Sequence, residues 1–210
     1  MTQTNHDSDT HRLPTDTDDG LLVTFSGPSG VGKTTITRGV ERAVRGAVFS
    51  VSVTTRAMTN ADVEGVDYHF VSDAEFDRYV AAGELLEWAD VFDKRYGTRG
   101  PWVDEQLRRG RVVILEIDVE GAKQIKAKRP DALGIFIMPP SPETLLQRLR
   151  DRKRESEDAI LRRFAEAQRE MEEAHRCGAY DHFLVNEDLD TAIAEAVRLV
   201  NDARGAHRAS

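Results

Sequence analysis

Cysteine and long apolar runs are scarce in this chain of 210 residues, and basic residues are outnumbered by acidic ones. Its one cysteine, Cys177, cannot form an internal disulfide, which fits a reducing cytoplasm. No apolar run approaches the roughly 18 residues that a membrane-spanning helix needs, so we expect no such helix. Lys and Arg total 29 against 37 Asp and Glu, giving a net charge of -8. Because nucleic acids and anionic membranes attract basic surfaces, neither is an expected partner.

Residues 1–19 differ from the rest of the chain. They contain five aspartates, one arginine and no aromatic residue. Such a segment cannot bury enough apolar surface to offset the entropy lost on ordering. It also lacks the basic start and apolar middle of a signal peptide. We therefore predict a disordered acidic tail.

The remaining chain alternates short apolar runs with amphipathic segments. The runs include LLVTFS (21–26), RVVILEID (111–118) and ALGIFIM (132–138). Unbroken apolar runs are typical of parallel strands buried on both sides, and alternation with helices predicts an α/β fold. We expect a parallel sheet with helices on both faces. The run 111–118 is the most apolar, which predicts a central position.

GPSGVGKTT, residues 27–35, lies between a predicted strand and a helix that begins near Gly32. It matches the pattern G-x-x-x-x-G-K-[ST], and this strand–helix context separates it from a chance glycine-rich turn. The loop's N–H groups and the helix start favour phosphate oxygens, Lys33 suits the outer phosphates, and the Thr34 hydroxyl suits Mg²⁺. The predicted ATP-binding residues of this loop are Gly27, Pro28, Ser29, Gly30, Val31, Gly32, Lys33, Thr34 and Thr35.

Further segments follow the loop in the order and spacing seen in guanylate kinases. They are SVSVTTR (50–56), EGVDYHFVS (64–72), GELLEWA (83–89), YGT (96–98), LEIDVEGA (115–122), MPPS (138–141) and VNEDLD (185–190). From residue 21 to about 202 the chain therefore resembles that family of P-loop nucleoside monophosphate kinases. The resemblance implies ATP and GMP as substrates, Mg²⁺ as cofactor, GDP and ADP as products, and no obligatory protein partner.

The resemblance also divides the domain, residues 20–205, into three parts. These are a core (20–51, 99–140 and 178–205), a GMP-binding insert (52–98) and a lid (141–177).

Glu87 matches the family's base-reading glutamate. Guanine presents N1–H and N2–H₂ as neighbouring donors, which one carboxylate accepts together, whereas adenine has a lone pair at N1. Leaving a buried carboxylate unpaired costs several kcal/mol, so this contact would discriminate strongly. Without the resemblance, a solvated charge at a strand edge would explain Glu87 better. Ser52, Thr98 and Asp118 match the other positions that read the base.

Arg56, Tyr68 and Tyr96 match the positions that bind the GMP phosphate. A guanidinium binds two phosphate oxygens at once, and the tyrosine hydroxyls add neutral hydrogen bonds. Taken alone, the tyrosines read as core aromatics with a solvated tip. The family's second arginine is replaced here by Thr59. We hypothesise that Lys94 or Arg95 compensates.

Glu116 and Asp118, two apart on a strand, face the same side at its end, where α/β sheets bind ligands. We place Glu116 near the metal and Asp118 near the acceptor.

The lid arginines Arg148, Arg152 and Arg163 match positions that close over the transferring phosphoryl group. Asn186 resembles a residue that touches the adenine of ATP, although an asparagine there also suits a helix cap.

Two alternatives remain open from the sequence. One is a related kinase of a phosphorylated sugar such as ribose bisphosphate, which would not need Glu87, Ser52 and Asp118 together. The other is a non-catalytic guanylate-kinase-like binding module. Lys33, Thr34 and the lid arginines argue against the second.

Overall fold

A computed structural model describes residues 20–91, 93–151 and 156–207. The predicted tail (1–19) and the predicted lid arginine Arg152 lie outside the described residues. The strands are β1 Leu21–Ser26, β2 Ala47–Phe49, β3 Val53–Thr54, β4 His69–Phe70, β5 Leu85–Val91, β6 Lys94–Arg99, β7 Val112–Glu116, β8 Leu133–Met138 and β9 His182–Val185. The helices are α1 Lys33–Ala43, α2 Asp73–Ala81, α3 Gly100–Arg108, α4 Val119–Lys128, α5 Pro142–Asp151, α6 Glu157–Arg176 and α7 Leu189–His207.

The main sheet is parallel, with the strand order β2-β7-β1-β8-β9. Successive residues of β1 enter different cores, because side chains alternate across a strand. Val23 packs with α1 and α7 on one face, and Leu22 packs with α3 and α4 on the other. The predicted parallel sheet covered by helices on both faces is therefore confirmed.

The prediction that residues 111–118 form the central strand was wrong. Strand β1 occupies the middle, and β7 lies between β1 and β2. Both strands are buried on both faces, so apolar content identifies interior strands without ordering them.

A second sheet, β4-β3-β6-β5, is built from residues of the segment predicted as an insert. Strand β5 is tied to α4 of the core: the Gln124 side chain accepts from Trp88 N at 3.2 Å and donates to Trp88 O at 2.8 Å. Lys128 Nζ donates to Leu86 O at 2.6 Å. Across the described ranges, no helix has the length and apolar character needed to cross a bilayer.

Candidate active site

The P-loop connects β1 to α1, as predicted. Gly32 takes φ of 100° immediately before α1, a conformation that favours glycine. A Cβ at Gly32 would also lie 2.6 Å from Asn186 Nδ2, so the position has no room for a side chain. Lys33 folds back along the loop, where Nζ donates to Gly27 O and, at 3.4 Å, to Pro28 O.

Glu116, at the end of β7, faces the start of α1. Thr34 Oγ1 donates to Glu116 Oε1 at 2.9 Å, and Thr37 Oγ1 donates to Oε2 at 3.0 Å. Thr37 is fully buried and was not predicted as a site residue. A carboxylate beside a threonine hydroxyl is a set of hard oxygen donors, which suits Mg²⁺ with substrate phosphates completing its shell.

Asn186 braces the P-loop from the end of β9. Its side-chain Nδ2 donates to Val31 O at 2.7 Å, and its backbone carbonyl oxygen accepts from Arg148 Nη2 at 3.0 Å. Asn186 is 5% exposed, and its Oδ1 has no hydrogen-bond partner among the described residues. It does not cap α7, because Asp188 Oδ1 accepts from Thr191 N at 2.9 Å in that role.

Helix α6, in the segment predicted as the lid, reaches the P-loop. Arg163 Nη2 donates to Ser29 Oγ. Glu170 lies two turns further along the same face of α6. Burial raises the pKa of Glu170 to about 7; the charge of Lys33 opposes this rise, and the charges of Glu166 and Asp118 add to it. Glu170 therefore faces the phosphate-binding side of the core. It was missed from the sequence, although its spacing of seven from Arg163 places both on one helical face.

Glu87 is buried in β5, with 4% of its surface exposed. Thr98 Oγ1, on the paired strand β6, donates to Glu87 Oε1 at 2.5 Å. Burial raises the pKa of Glu87 to about 7; the Thr98 hydrogen bond opposes the rise and the charge of Asp118 adds to it. The alternative of a solvated strand-edge charge is therefore wrong.

Helix α4 forms the floor beneath the Glu87 carboxylate. Asp118 caps this helix, accepting from Gly121 N at 2.7 Å. A Cβ at Gly121 would lie 2.8 Å from Glu87 Oε2, so the glycine leaves the space that the carboxylate occupies. Ser52 precedes β3, and its carbonyl accepts from His69 N at 2.9 Å.

Arg56, Tyr68 and Tyr96 form one cluster. The two tyrosine rings meet edge to face at 5.6 Å between centroids, and the Arg56 guanidinium lies 5.1 Å from the Tyr68 ring centroid. Burial raises the pKa of Tyr68, and Tyr96 adds to the rise, as do the carboxylates of Glu116 and Asp62. Tyr68 therefore lies within electrostatic reach of Glu116 at the end of β7.

Arg95, one of the two residues expected to compensate for the missing second arginine, points away from the Arg56 cluster. Its side chain binds Asp73 at 2.9 Å and Asp77 at 2.5 Å and stacks on Phe76, because successive β6 residues point to opposite faces. Lys94 shares the Tyr96 face, two residues away, and is exposed at the strand end. Compensation by Lys94 stays a hypothesis.

Contacts from the start of α1 and from β5 converge near the end of β7. Glu116, the last residue of β7, accepts a hydrogen bond from Thr34 at the start of α1. Two residues further along the chain, Asp118 caps α4, and its charge adds to the rise in the pKa of Glu87. Gly121, in the first turn of α4, lies beside the Glu87 carboxylate. The structure thus brings five predicted residues to this edge of the main sheet, namely Thr34, Glu116, Asp118, Glu87 and Thr98, whereas a common site for all the predicted residues stays a prediction.

A family model described as guanylate kinase matches residues 20–203, which is most of the chain. The chain belongs to the guanylate kinase family. Among curated guanylate kinases, that of Symbiobacterium thermophilum is 45% identical over 187 residues, covering 88% of this chain and 87% of the relative. That of Anaeromyxobacter dehalogenans is 43% identical, covering 93% and 84%.

A solved guanylate kinase, from Anaplasma phagocytophilum, has a similar structure. Its TM-score is 0.69 at 30% identity, covering 90% of this chain and 89% of the solved one. Membership of the guanylate kinase family fits both sheets and the P-loop described above.

Proposed function

We propose that this guanylate kinase family member transfers the γ-phosphoryl group of ATP to GMP, giving ADP and GDP. The observation that carries the choice of GMP is the buried Glu87 carboxylate, whose pKa is raised by burial and by the charge of Asp118. The curated relatives, named as guanylate kinases, support the same reaction.

Guanine suits the Glu87 site because its N1–H and N2–H₂ donate to one carboxylate. Thr98 already donates to Oε1, which fixes the carboxylate before the base arrives. Adenine would leave the buried charge unpaired, and a sugar phosphate would offer no planar pair of donors at all. A phosphorylated sugar is therefore the weaker candidate.

Phosphoryl transfer depends on position and charge, because the protein has little covalent chemistry to perform. Lys33 and the P-loop amides bind the ATP phosphates in the proposal. Arg56, Tyr68 and Tyr96 bind the phosphate of GMP at the facing end of β7. Arg163 contacts Ser29 in the P-loop, and Arg148 contacts the backbone carbonyl of Asn186. In the proposal, both arginines stabilise the charge that develops between the two substrates.

Thr34 and Glu116 would hold Mg²⁺ in this site. The ion would neutralise charge on the outer phosphates of ATP. Asn186 Oδ1, which has no partner within the described residues, is an acceptor suited to the amino group of adenine.

The proposal is tested by measuring ADP release when ATP and Mg²⁺ are offered with GMP, AMP or ribose bisphosphate separately. We expect turnover with GMP, and AMP slower by a factor of at least about 10⁴. Faster turnover of the ribose bisphosphate would establish the sugar kinase instead. Absence of ADP with every acceptor, at all Mg²⁺ concentrations tried, would favour a binding module.

A further inference from the structure

Thr59 occupies the position where guanylate kinases usually carry a second phosphate-binding arginine. Here it makes two hydrogen bonds to the carboxylate of Asp62. Its backbone N–H donates to Asp62 Oδ2 at 2.7 Å, and its hydroxyl donates to the same oxygen at 2.6 Å. Both groups belong to the loop between β3 and β4. Thr59 therefore fixes the position of the Asp62 carboxylate.

Asp62 in turn grips Arg56. Arg56 Nη2 donates to Asp62 Oδ1 at 2.8 Å, and Nη1 donates to Oδ2 at 3.0 Å. The second hydrogen of Nη1 has an acceptor in Ala57 O at 3.2 Å. The side chains of Arg56 and Asp62 are 27% and 13% exposed, so this pair is partly shielded from solvent.

The contacts with Asp62 use the Nη1–Nη2 edge of the Arg56 guanidinium and leave its Nε–Nη2 edge without an acceptor among the described residues. Arginine has five N–H donors in a planar fork, and three are accounted for above. Among residues 20–91, 93–151 and 156–207, Nε makes no hydrogen bond and Nη2 has no acceptor besides Asp62. The Nε–H and the outer Nη2–H run parallel, which is the geometry that binds two oxygens of a phosphate.

The aromatic rings set the orientation of that remaining edge. Arg56 lies 5.1 Å from the Tyr68 centroid and 5.3 Å from the Phe70 centroid. With Asp62 on the neighbouring Nη1–Nη2 edge, the guanidinium is held both in its plane and from its face. Holding a flexible arginine before binding removes part of the entropy cost of ordering it around the ligand.

We propose that Asp62, held by Thr59, is a positioning residue that aims the Nε–Nη2 edge of Arg56 at the phosphate of GMP. The inference rests on the proposed function, since it names how the same acceptor site holds its substrate. It also gives Thr59 a role: the residue supplies no cation, and instead fixes the acid that orients the remaining one. Asp62 itself does not touch the substrate.

The test replaces Asp62 with asparagine, which keeps the shape but weakens the grip on Arg56. We expect the KM for GMP to rise about three- to tenfold, the cost of ordering one long side chain, with kcat changed less than about twofold. Thr59→Val should shift the same KM in the same direction by a smaller factor. Asp67→Asn is the matched control, because Asp67 accepts from Val63 N at 2.8 Å in the same loop and makes no contact with Arg56.

Binding of guanosine separates positioning from general damage. Guanosine lacks the phosphate, so Asp62→Asn should weaken GMP binding in calorimetry and leave guanosine binding unchanged. Equal loss of both ligands would mean a structural role for Asp62 and overturn the proposal. Tighter GMP binding in Asp62→Asn would also overturn it, since Asp62 would then compete with the phosphate.

The unmodified protein keeps this outcome separate from the proposed function. If it phosphorylates GMP while Asp62→Asn leaves the KM for GMP unaltered, only the role of Asp62 fails. If the unmodified protein does not phosphorylate GMP, the proposed function itself fails.

Discussion

Thr98 Oγ1 donates to Glu87 Oε1 across 2.5 Å, between side chains that are 1% and 4% exposed. This hydrogen bond favours the ionised carboxylate, whereas burial and the nearby charge of Asp118 favour the protonated acid. The balance leaves the pKa of Glu87 at about 7. A base that donates two hydrogen bonds would complete the shell of the ionised form.

Replacing Glu87 with glutamine should weaken GMP on the order of a hundredfold, through the loss of charge-assisted hydrogen bonds and the facing of donor against donor. ATP should be affected by less than about twofold, because its proposed site lies at the P-loop. Separate KM measurements for the two substrates check this. The control is Glu84→Gln, which alters a surface carboxylate paired with Arg99 at 2.8 Å. Equal weakening of ATP and GMP would contradict the proposed role of Glu87.

Binding of GMP should release protons near neutral pH. Since the pKa of Glu87 is about 7, roughly half of the ligand-free protein carries this proton at pH 7, and guanine requires the carboxylate. Calorimetry in two buffers of different ionisation enthalpy measures the release, which we expect to be about half a proton. In Glu87→Gln the release should fall to the small share from the GMP phosphate, whose second pKa is about 6. An unchanged release in that variant would exclude Glu87 as its source.

The same pKa affects stability without ligand. The folded state holds the Glu87 proton up to about pH 7, whereas the unfolded chain loses it near 4.5. Because the folded state binds more protons in that interval, the contribution of Glu87 to the free energy of unfolding falls as pH rises from about 4.5 to 7. Denaturant titrations at several pH values should show this slope reduced in Glu87→Gln.

Gly121→Ala should raise the KM for GMP by at least about tenfold, because the new Cβ would lie 2.8 Å from Glu87 Oε2 and displace a positioned group. Gly205→Ala is the matched control: Gly205 also lies in a helix, and its Cβ would meet nothing within 4 Å. That variant should be stabilised by up to about 1 kcal/mol with GMP kinetics unchanged. Thermal unfolding and steady-state kinetics of both variants decide the point. Unaltered GMP kinetics in Gly121→Ala would show that the carboxylate accommodates the methyl group.

Arg163→Ala should lower kcat by about 10²–10³-fold, the usual effect of removing one donor to developing charge. The expectation follows from its contact with Ser29 Oγ in the P-loop. Arg162→Ala changes the preceding, exposed residue of the same helix and should leave kcat within about twofold. Equal effects of the two substitutions would mean that the lid contributes only general positive charge.

The sequence predicted the parts of the site that depend on local patterns. The P-loop follows from glycine and lysine spacing, and the parallel sheet follows from unbroken apolar runs such as 21–26. Glu116 and Asp118 followed from their spacing of two at a strand end. Family resemblance was needed for Glu87, Arg56 and the tyrosines, because each has an ordinary structural explanation when taken alone.

The residues that were missed act through contacts between distant segments. Thr37 reaches Glu116, 79 residues away, and Gly121 makes room for Glu87. Asp62 is close to Arg56 in sequence, but an acid in a polar loop carries no signal that it faces inward. Strands β3 and β4 have two residues each, which is too short for any periodicity to appear.

The bonds from Gln124 and Lys128 to β5 join the strand that carries Glu87 to the scaffold that carries Glu116 and Asp118. Arg56 and Tyr68 instead sit beyond that attachment, around β3 and β4. In the proposed complex the base lies against the braced strand β5, and two of the three phosphate-binding residues lie outside that attachment. In the proposed reaction, changing which nucleobase is accepted would require repacking α4 against β5, whereas the loop that carries Asp62 offers a separate position from which to adjust affinity for the phosphate.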